Sequence, residues 1–250
     1  MYNVISIINV KGGTGKTLTT INLGGQFAEQ GHKVLLIDND SQSNLSQILN
    51  VESEYSLYDL YSDSKVNFED CIVSHSKNID VVTNVIESAI LEKDLHYKKN
   101  SEVILKEKFE KFKNDYDMVI IDNSPFLGIC TTNAMVMSSH YLEVIDNSVS
   151  AIQGLNLVRN LVKSISDGYE NDNLKLLGIL RNNFDKKTIF SKQMNEVILD
   201  EYKDKIFDTI IYNSVKYKES VAMNKTIQEY SKKHSEPYKK LYYEIIKRIH

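Results

Sequence analysis

The chain of 250 residues has no tryptophan, only two prolines and only two cysteines. Cys71 and Cys130 lie far apart, so neither a disulfide framework nor metal-ligand spacing is available to them. A reducing, cytoplasmic setting is therefore expected. With proline confined to Pro125 and Pro237 there is no proline-rich linker, and one domain spanning residues 1–250 is expected. No apolar run approaches the ~18 residues a membrane-crossing helix needs. No basic segment precedes the first apolar run, so a secretory leader is not expected either. Positive charge is also not in excess: 30 Lys and Arg face 34 Asp and Glu, for a net charge of −4. That excludes a general nucleic-acid-coating protein, and any contact with DNA must come from a local patch.

Short apolar runs alternate with longer segments of helical period. The runs are Val4–Ile8, Val34–Ile37, Ile79–Val82, Met118–Ile121, Tyr141–Ile145, Leu174–Leu180 and Ile206–Ile211. Several lack polar alternation, as strands covered on both faces do. Helices are predicted over 16–30, 101–113, 128–138, 151–166, 189–201 and 236–249. The alternation predicts an α/β fold, a doubly wound and mostly parallel sheet with helices on both faces. Residues 50–78 are weakly patterned, and short helices are expected there.

The strongest motif follows the first strand: Lys11-Gly12-Gly13-Thr14-Gly15-Lys16-Thr17. Glycines let a loop turn its N–H groups toward phosphate, and the helix opening at Lys16 adds the positive end of its dipole. Lys16 is predicted to reach the β- and γ-phosphates, and the Thr17 hydroxyl to ligate Mg²⁺. The third candidate strand ends in Asp122, a pattern that places a carboxylate at the metal. Asp38 and Asp40 end the second strand, at the edge where such sheets bind ligands. Turn formation and helix capping are the ordinary alternatives for that pair.

The loop departs from G-x-x-x-x-G-K-[ST], because Val10 stands at the first glycine and a second lysine, Lys11, opens the run. K-G-G-x-G-K-T resembles the deviant Walker A motif of the ParA/MinD ATPases. Asp38-Asn39-Asp40-Ser41-Gln42-Ser43-Asn44 is similar to the ParA segment D-x-D-P-Q-x-N, with Ser41 at a usual proline. Asn123-Ser124-Pro125-Phe126-Leu127-Gly128 resembles D-x-P-P-S-L-G, with Ser124 at a proline. Later matches are Gln153-Gly154-Leu155 and Phe207-Asp208-Thr209-Ile210-Ile211, where Tyr212 replaces a proline and Asn213 an arginine.

The resemblance implies a ParA/Soj-type ATPase for DNA partition, of plasmid or chromosome, with ATP and Mg²⁺ as its ligands. It implies that Lys11 acts across a nucleotide-sandwich homodimer, that Asp40 orients the attacking water, and that Asp38 lies near the Mg²⁺ shell. Lys11, Gly12, Gly13, Thr14, Gly15, Lys16, Thr17 and Leu18 would hold the nucleotide, with Asn182 or Asn183 at the adenine; ordinary turn asparagines are the alternative there. Lys186, Lys187, Lys216 and Lys218 would supply non-specific DNA contacts, and a ParB-type centromere-binding partner would stimulate hydrolysis. The rival is a MinD-like membrane ATPase, for which the amphipathic segment Tyr238–Ile249 would bind the bilayer. Leu241, Tyr242, Ile245 and Ile249 suit docking onto the sheet equally well. The segment after Asp40 reads as ParA, and no membrane contact is expected.

Overall fold

The computed structural model describes residues 3–112, 114–169, 171, 174–185 and 188–249. One sheet contains β1 (Asn3–Ile8), β2 (Val34–Asn39), β3 (Ile72–Ser76), β4 (Ile79–Val82), β5 (Met118–Asn123), β6 (His140–Ile145), β7 (Lys175–Phe184) and β8 (Ile206–Tyr212). Their order is β3-β4-β2-β5-β1-β6-β7-β8. Every neighbouring pair is parallel except β3 with β4. The α-helices among the described residues are α1 (Lys16–Glu29), α2 (Asn44–Leu49), α3 (Leu57–Ser62), α4 (Leu91–His96), α5 (Ile104–Phe109), α6 (Ile129–Met137), α7 (Val149–Tyr169), α8 (Ile189–Tyr202), α9 (Val215–Ala222), α10 (Ile227–Tyr230) and α11 (Lys232–Ile249). This is the doubly wound architecture expected from the alternating pattern.

Both faces of the sheet are covered, which is why its strands read as unbroken apolar runs. Successive residues of β5 point to opposite sides. Met118 and Ile120 join Phe27, Tyr238, Leu241 and Ile245 in one core. Val119 and Ile121 join Leu57, Tyr61, Leu105 and Phe109 in the other. Toward β8 the second face is closed by α7 and α8, with Leu155 and Ile198 packed on Ile145 and Ile179. Helix α1 sits unusually close to β2, since a Cβ at Gly24 would stand 2.6 Å from a methyl of Leu36.

Two features position the site. The chain reverses its direction of winding at β1, with β5 on one side and β6 on the other. Such a switch point opens a crevice at the carboxyl ends of the strands. Helix α11 then locks the far half of the sheet. Glu244 accepts the N–H groups of Asp208 and Thr209 at 2.6 and 3.0 Å, and Arg248 donates to the Leu177 and Ile206 carbonyls. The apolar stripe of α11 is spent inside the molecule: Tyr238, Leu241, Tyr242 and Ile245 are all buried. Among the described residues no helix is long and apolar enough to cross a membrane.

Differences from the sequence reading are local. Residues 72–76 form an antiparallel edge strand inside the segment where only short helices are expected. The helix over 101–113 is a 3₁₀ turn, Ser101–Val103, followed by the short α5. Helix α11 starts at Lys232, four residues before the predicted start, and carries Pro237 within it.

Candidate functional site

The loop between β1 and α1 takes the backbone form its glycines permit. Gly13 has φ 78° and Gly15 φ 90°, the left-handed region that side chains disfavour. Gly15 also has no room for a Cβ, which would lie 2.0 Å from Nδ2 of Asn182. That amide donates to the Thr14 carbonyl at 2.7 Å and braces the loop from β7. At the loop's front, Asn9 Oδ1 accepts the N–H of Lys11 at 2.8 Å. Lys16 is buried and its ammonium folds back to the Lys11 carbonyl at 3.3 Å.

The carboxylates gather on one flank of this loop. Parallel pairing of β2 with β5 sets Asp38 directly beside Asp122, and Asn39 beside Asn123. Both acids are fully buried. Asp38 accepts the N–H of Ser46 at 2.9 Å and its hydroxyl at 2.7 Å, so it also ties α2 to the end of β2. Oδ1 of Asp122 lies 3.4 Å from the Thr20 hydroxyl, while its Oδ2 is buried with no hydrogen-bond partner. Asp40, in the turn beyond β2, accepts the N–H of Gln42 at 3.0 Å.

Electrostatics follow from this crowding. Burial, then the neighbouring Asp38, pushes the Asp122 carboxyl up to about 8, against the Thr17 hydroxyl and Lys16, which oppose the shift. Burial raises Asp38 to about 6 despite its bonds to Ser46. Burial lowers the Lys16 ammonium, with Asp122 and Asp40 opposing. Three acids thus share one ammonium in a water-poor crevice, which favours entry of a further cation.

The residues present fit a hard divalent ion. The orphaned oxygen of Asp122 and the adjacent hydroxyl of Thr17 are the donor types such an ion takes. Among the described residues no cluster of three or more His, Cys, Asp or Glu side chains could hold a metal unaided. A magnesium ion, which keeps waters and shares phosphate oxygens, needs no such cage.

The opposite flank is uncharged at its base. A cavity of about 210 Å³ runs beside the loop between Gly13, Gly15 and Leu18 on one side and β7 and β8 on the other. Asn182, Asn183, Tyr212 and Lys218 line it. Asn182 is committed to the loop, whereas Asn183 is exposed with φ 57°.

Two functional contacts escaped the sequence reading. Asp146, just past β6, is ion-paired with the Nζ of Lys11 in the same chain. Burial would raise Asp146, but Lys11 and Ser148 overcome it and hold the carboxyl below its ordinary value. Its position immediately after a buried strand, at the ligand edge, was the available signal. Glu92 accepts the N–H groups of Ile129 and Cys130 and so caps α6 behind the loop 124–128. No local pattern marks it, because its partners are remote in sequence.

Of the lysines proposed for DNA, Lys216 is paired with Glu219 at 2.6 Å on the surface of α9, and Lys218 is exposed beside the cavity. Lys186 and Lys187 lie outside the described residues.

Comparisons with known proteins agree with this geometry. The AAA domain family model matches residues 2–176. The sporulation initiation inhibitor protein Soj of Bacillus subtilis is 33% identical over 230 residues, covering 91% of this chain and 90% of that protein. A plasmid partition protein from Borrelia burgdorferi B31 bound to AMPPNP superposes with a TM-score of 0.86 at 21% identity, over 99% of this chain and 100% of that one. Cobyrinic acid a,c-diamide synthase from Mycobacterium smegmatis, with bound ATP analogue and magnesium, gives 0.80 at 26% identity over 92% of both chains.

Proposed function

We propose, for a chain that belongs to the Soj/ParA family of partition ATPases, that it hydrolyses ATP with Mg²⁺ to cycle on and off DNA during plasmid or chromosome partition. The observation that carries this reading is the pairing of a phosphate-binding turn with a buried Lys16 and an Asp122 oxygen that lacks a partner. The amides of Gly12 to Thr17 bind the phosphates, and Lys16 neutralises the β- and γ-oxygens. Thr17 and Asp122 would hold Mg²⁺, with Asp38 near them, and a bound ion would supply charge neutralisation at the phosphoryl oxygens. Asp40 orients the attacking water from the turn beyond β2.

Lys11 stabilises the transition state of the partner subunit across a nucleotide-sandwich dimer, as an arginine finger would. In the single chain it is held by Asp146, so closure exchanges that carboxylate for the partner's phosphate. DNA contact falls to Lys186, Lys187, Lys216 and Lys218, doubled by dimerisation, with each phosphate contact releasing counterions. A ParB-type partner stimulates hydrolysis and releases the DNA. The protein acts in the cytoplasm and associates with the nucleoid when ATP-bound.

The membrane alternative is disfavoured by α11, whose Tyr238, Leu241, Tyr242 and Ile245 are already buried in one core with Phe27 of α1 and the sheet. One experiment decides between them: retention on random-sequence duplex and on anionic liposomes, with ATP, ADP or no nucleotide. ATP-dependent retention on duplex alone is expected. Retention on liposomes alone would overturn the partition reading.

A further inference from the structure

Two amides stand where the strand pattern calls for apolar side chains. Side chains alternate along a strand, so Asn39 and Asn123 point away from Asp38 and Asp122, onto the face that carries Ile37, Ile121, Leu57 and Tyr61. In-register pairing of β2 with β5 sets the two asparagines side by side, and both are buried. Asn39 Nδ2 donates to Asn123 Oδ1 at 2.9 Å and to the Cys130 carbonyl, in the first turn of α6, at 3.0 Å. Asn123 Nδ2 donates to the Ile7 carbonyl of β1 at 3.2 Å. One amide pair thus ties β1, β2, β5 and α6 together.

Core packing alone does not favour this pair. Asn39 Oδ1 is buried with no hydrogen-bond partner. An apolar pair of similar shape would avoid that desolvation cost. Position supplies the reason for the amides. Asn39 lies between Asp38 and Asp40, and Asn123 lies between Asp122 and loop 124–128. A further amide steadies the same turn: Asn84 Nδ2 donates to the Asp40 carbonyl at 3.2 Å. The Asn84 N–H donates at 3.0 Å to the Ser46 hydroxyl that also binds Asp38.

We infer that Asn39 and Asn123 are a positioning pair for ATP hydrolysis: their bond locks the end of β2 to the end of β5 and holds Asp40 in place relative to Asp122. This rests on the ATPase reading of the Gly12–Thr17 loop and deepens it. Both side chains face α6 rather than the phosphate loop, so they act through Asp40 and touch no phosphate.

Phosphate-release kinetics, ATP binding and thermal melting of Asn39→Leu, Asn123→Leu and the double variant test the pair. Leucine is close to asparagine in shape and cannot make the bond. Each single variant should lower kcat by roughly tenfold, since a small misplacement of an orienting group suffices, and leave ATP affinity within about twofold. The double variant should match the single variants in kcat, because the same bond is lost in all three. Its Tm should return toward the native value, because neither amide is left unpaired. A kcat that recovers together with the Tm, or losses that multiply in the double variant, would overturn the inference. So would a native kcat in either single variant, or a loss of ATP affinity as large as the loss of kcat. Failure of the native chain to hydrolyse ATP would instead overturn the ATPase reading. If the leucine variants do not fold, Asn39→Ser and Asn123→Ser decide by the same cycle, since serine is too short for the bond but remains polar. Equal kcat in the single and double serine variants supports the pair, and multiplied losses remove it.

Discussion

The two flanks of the glycine loop solve opposite problems. On the β5 and β2 side, Asp122 and Asp38 stand side by side, fully buried, with the Lys16 ammonium drawn in beside them. On the β7 and β8 side the lining is amide, aliphatic and aromatic, with Lys218 at its exposed rim. The acidic flank is held in an unfavourable state that a cation relieves, since desolvation disfavours its charged groups. The neutral flank carries no such debt and offers shape. One end of the site therefore suits ions and the other an uncharged group.

The sharpest way to break this contrast is Lys16→Ala. Without the ammonium, the acidic flank repels a triphosphate, and ATP affinity should fall by two orders of magnitude or more in equilibrium dialysis; retained affinity would remove the phosphate assignment. Asp40→Ala sharpens the contrast instead. ATP binding and dimerisation should persist while turnover drops about a hundredfold or more, measured by phosphate release, because water orientation is lost but the phosphate cradle is not. Normal turnover would free Asp40 from that role.

A smaller effect is expected at the rim of the neutral flank. Lys216→Ala combined with Lys218→Ala should weaken ATP-dependent retention on duplex by about tenfold or less. The dependence of log affinity on log salt should fall by about four, one for each of the two lysines lost from each of the two subunits. An unchanged salt slope would move the DNA surface away from α9.

The smallest effect serves as a control outside both flanks. Glu143 on β6 is fully buried with neither oxygen hydrogen-bonded among the described residues, and burial raises it from 4.5 to about 8 in spite of Arg159 and Lys205. A raised carboxyl stabilises the fold below pH 4.5, and that contribution is lost as the pH climbs to about 8. The difference in Tm between Glu143→Gln and the native chain should therefore move in favour of the variant across this window, by several degrees. A constant difference would mean that Glu143 is ionised in the folded chain.

Much of this was readable before any coordinates. Val4–Ile8, Val34–Ile37 and Met118–Ile121 announce central strands because both their faces are buried, and the loop and Asp122 follow from where those strands end. What was hidden depends on distant or half-exposed groups. The edge strand Ile72–Ser76 is only partly buried, so it lacks the apolar run that marks the others. The last helix was expected over 236–249, yet α11 begins a turn earlier, where Ser231 contacts His234. Asn182 reads equally as a base contact or a turn residue, and only the fold shows its amide spent on Thr14. Asp146 could be placed at the ligand edge by its position after a buried strand, but its pairing with Lys11 could not, since 135 residues separate the two.

That pairing has an implication for assembly. A lysine cannot neutralise Asp146 and a neighbour's phosphate at once, so in the proposed dimer a subunit would have to uncover this cation in the same event that joins it to a second. Each half of a closed pair would then leave behind an exposed acid of its own. The gain at the nucleotide has to exceed the loss of two internal ion pairs before the closed form can dominate.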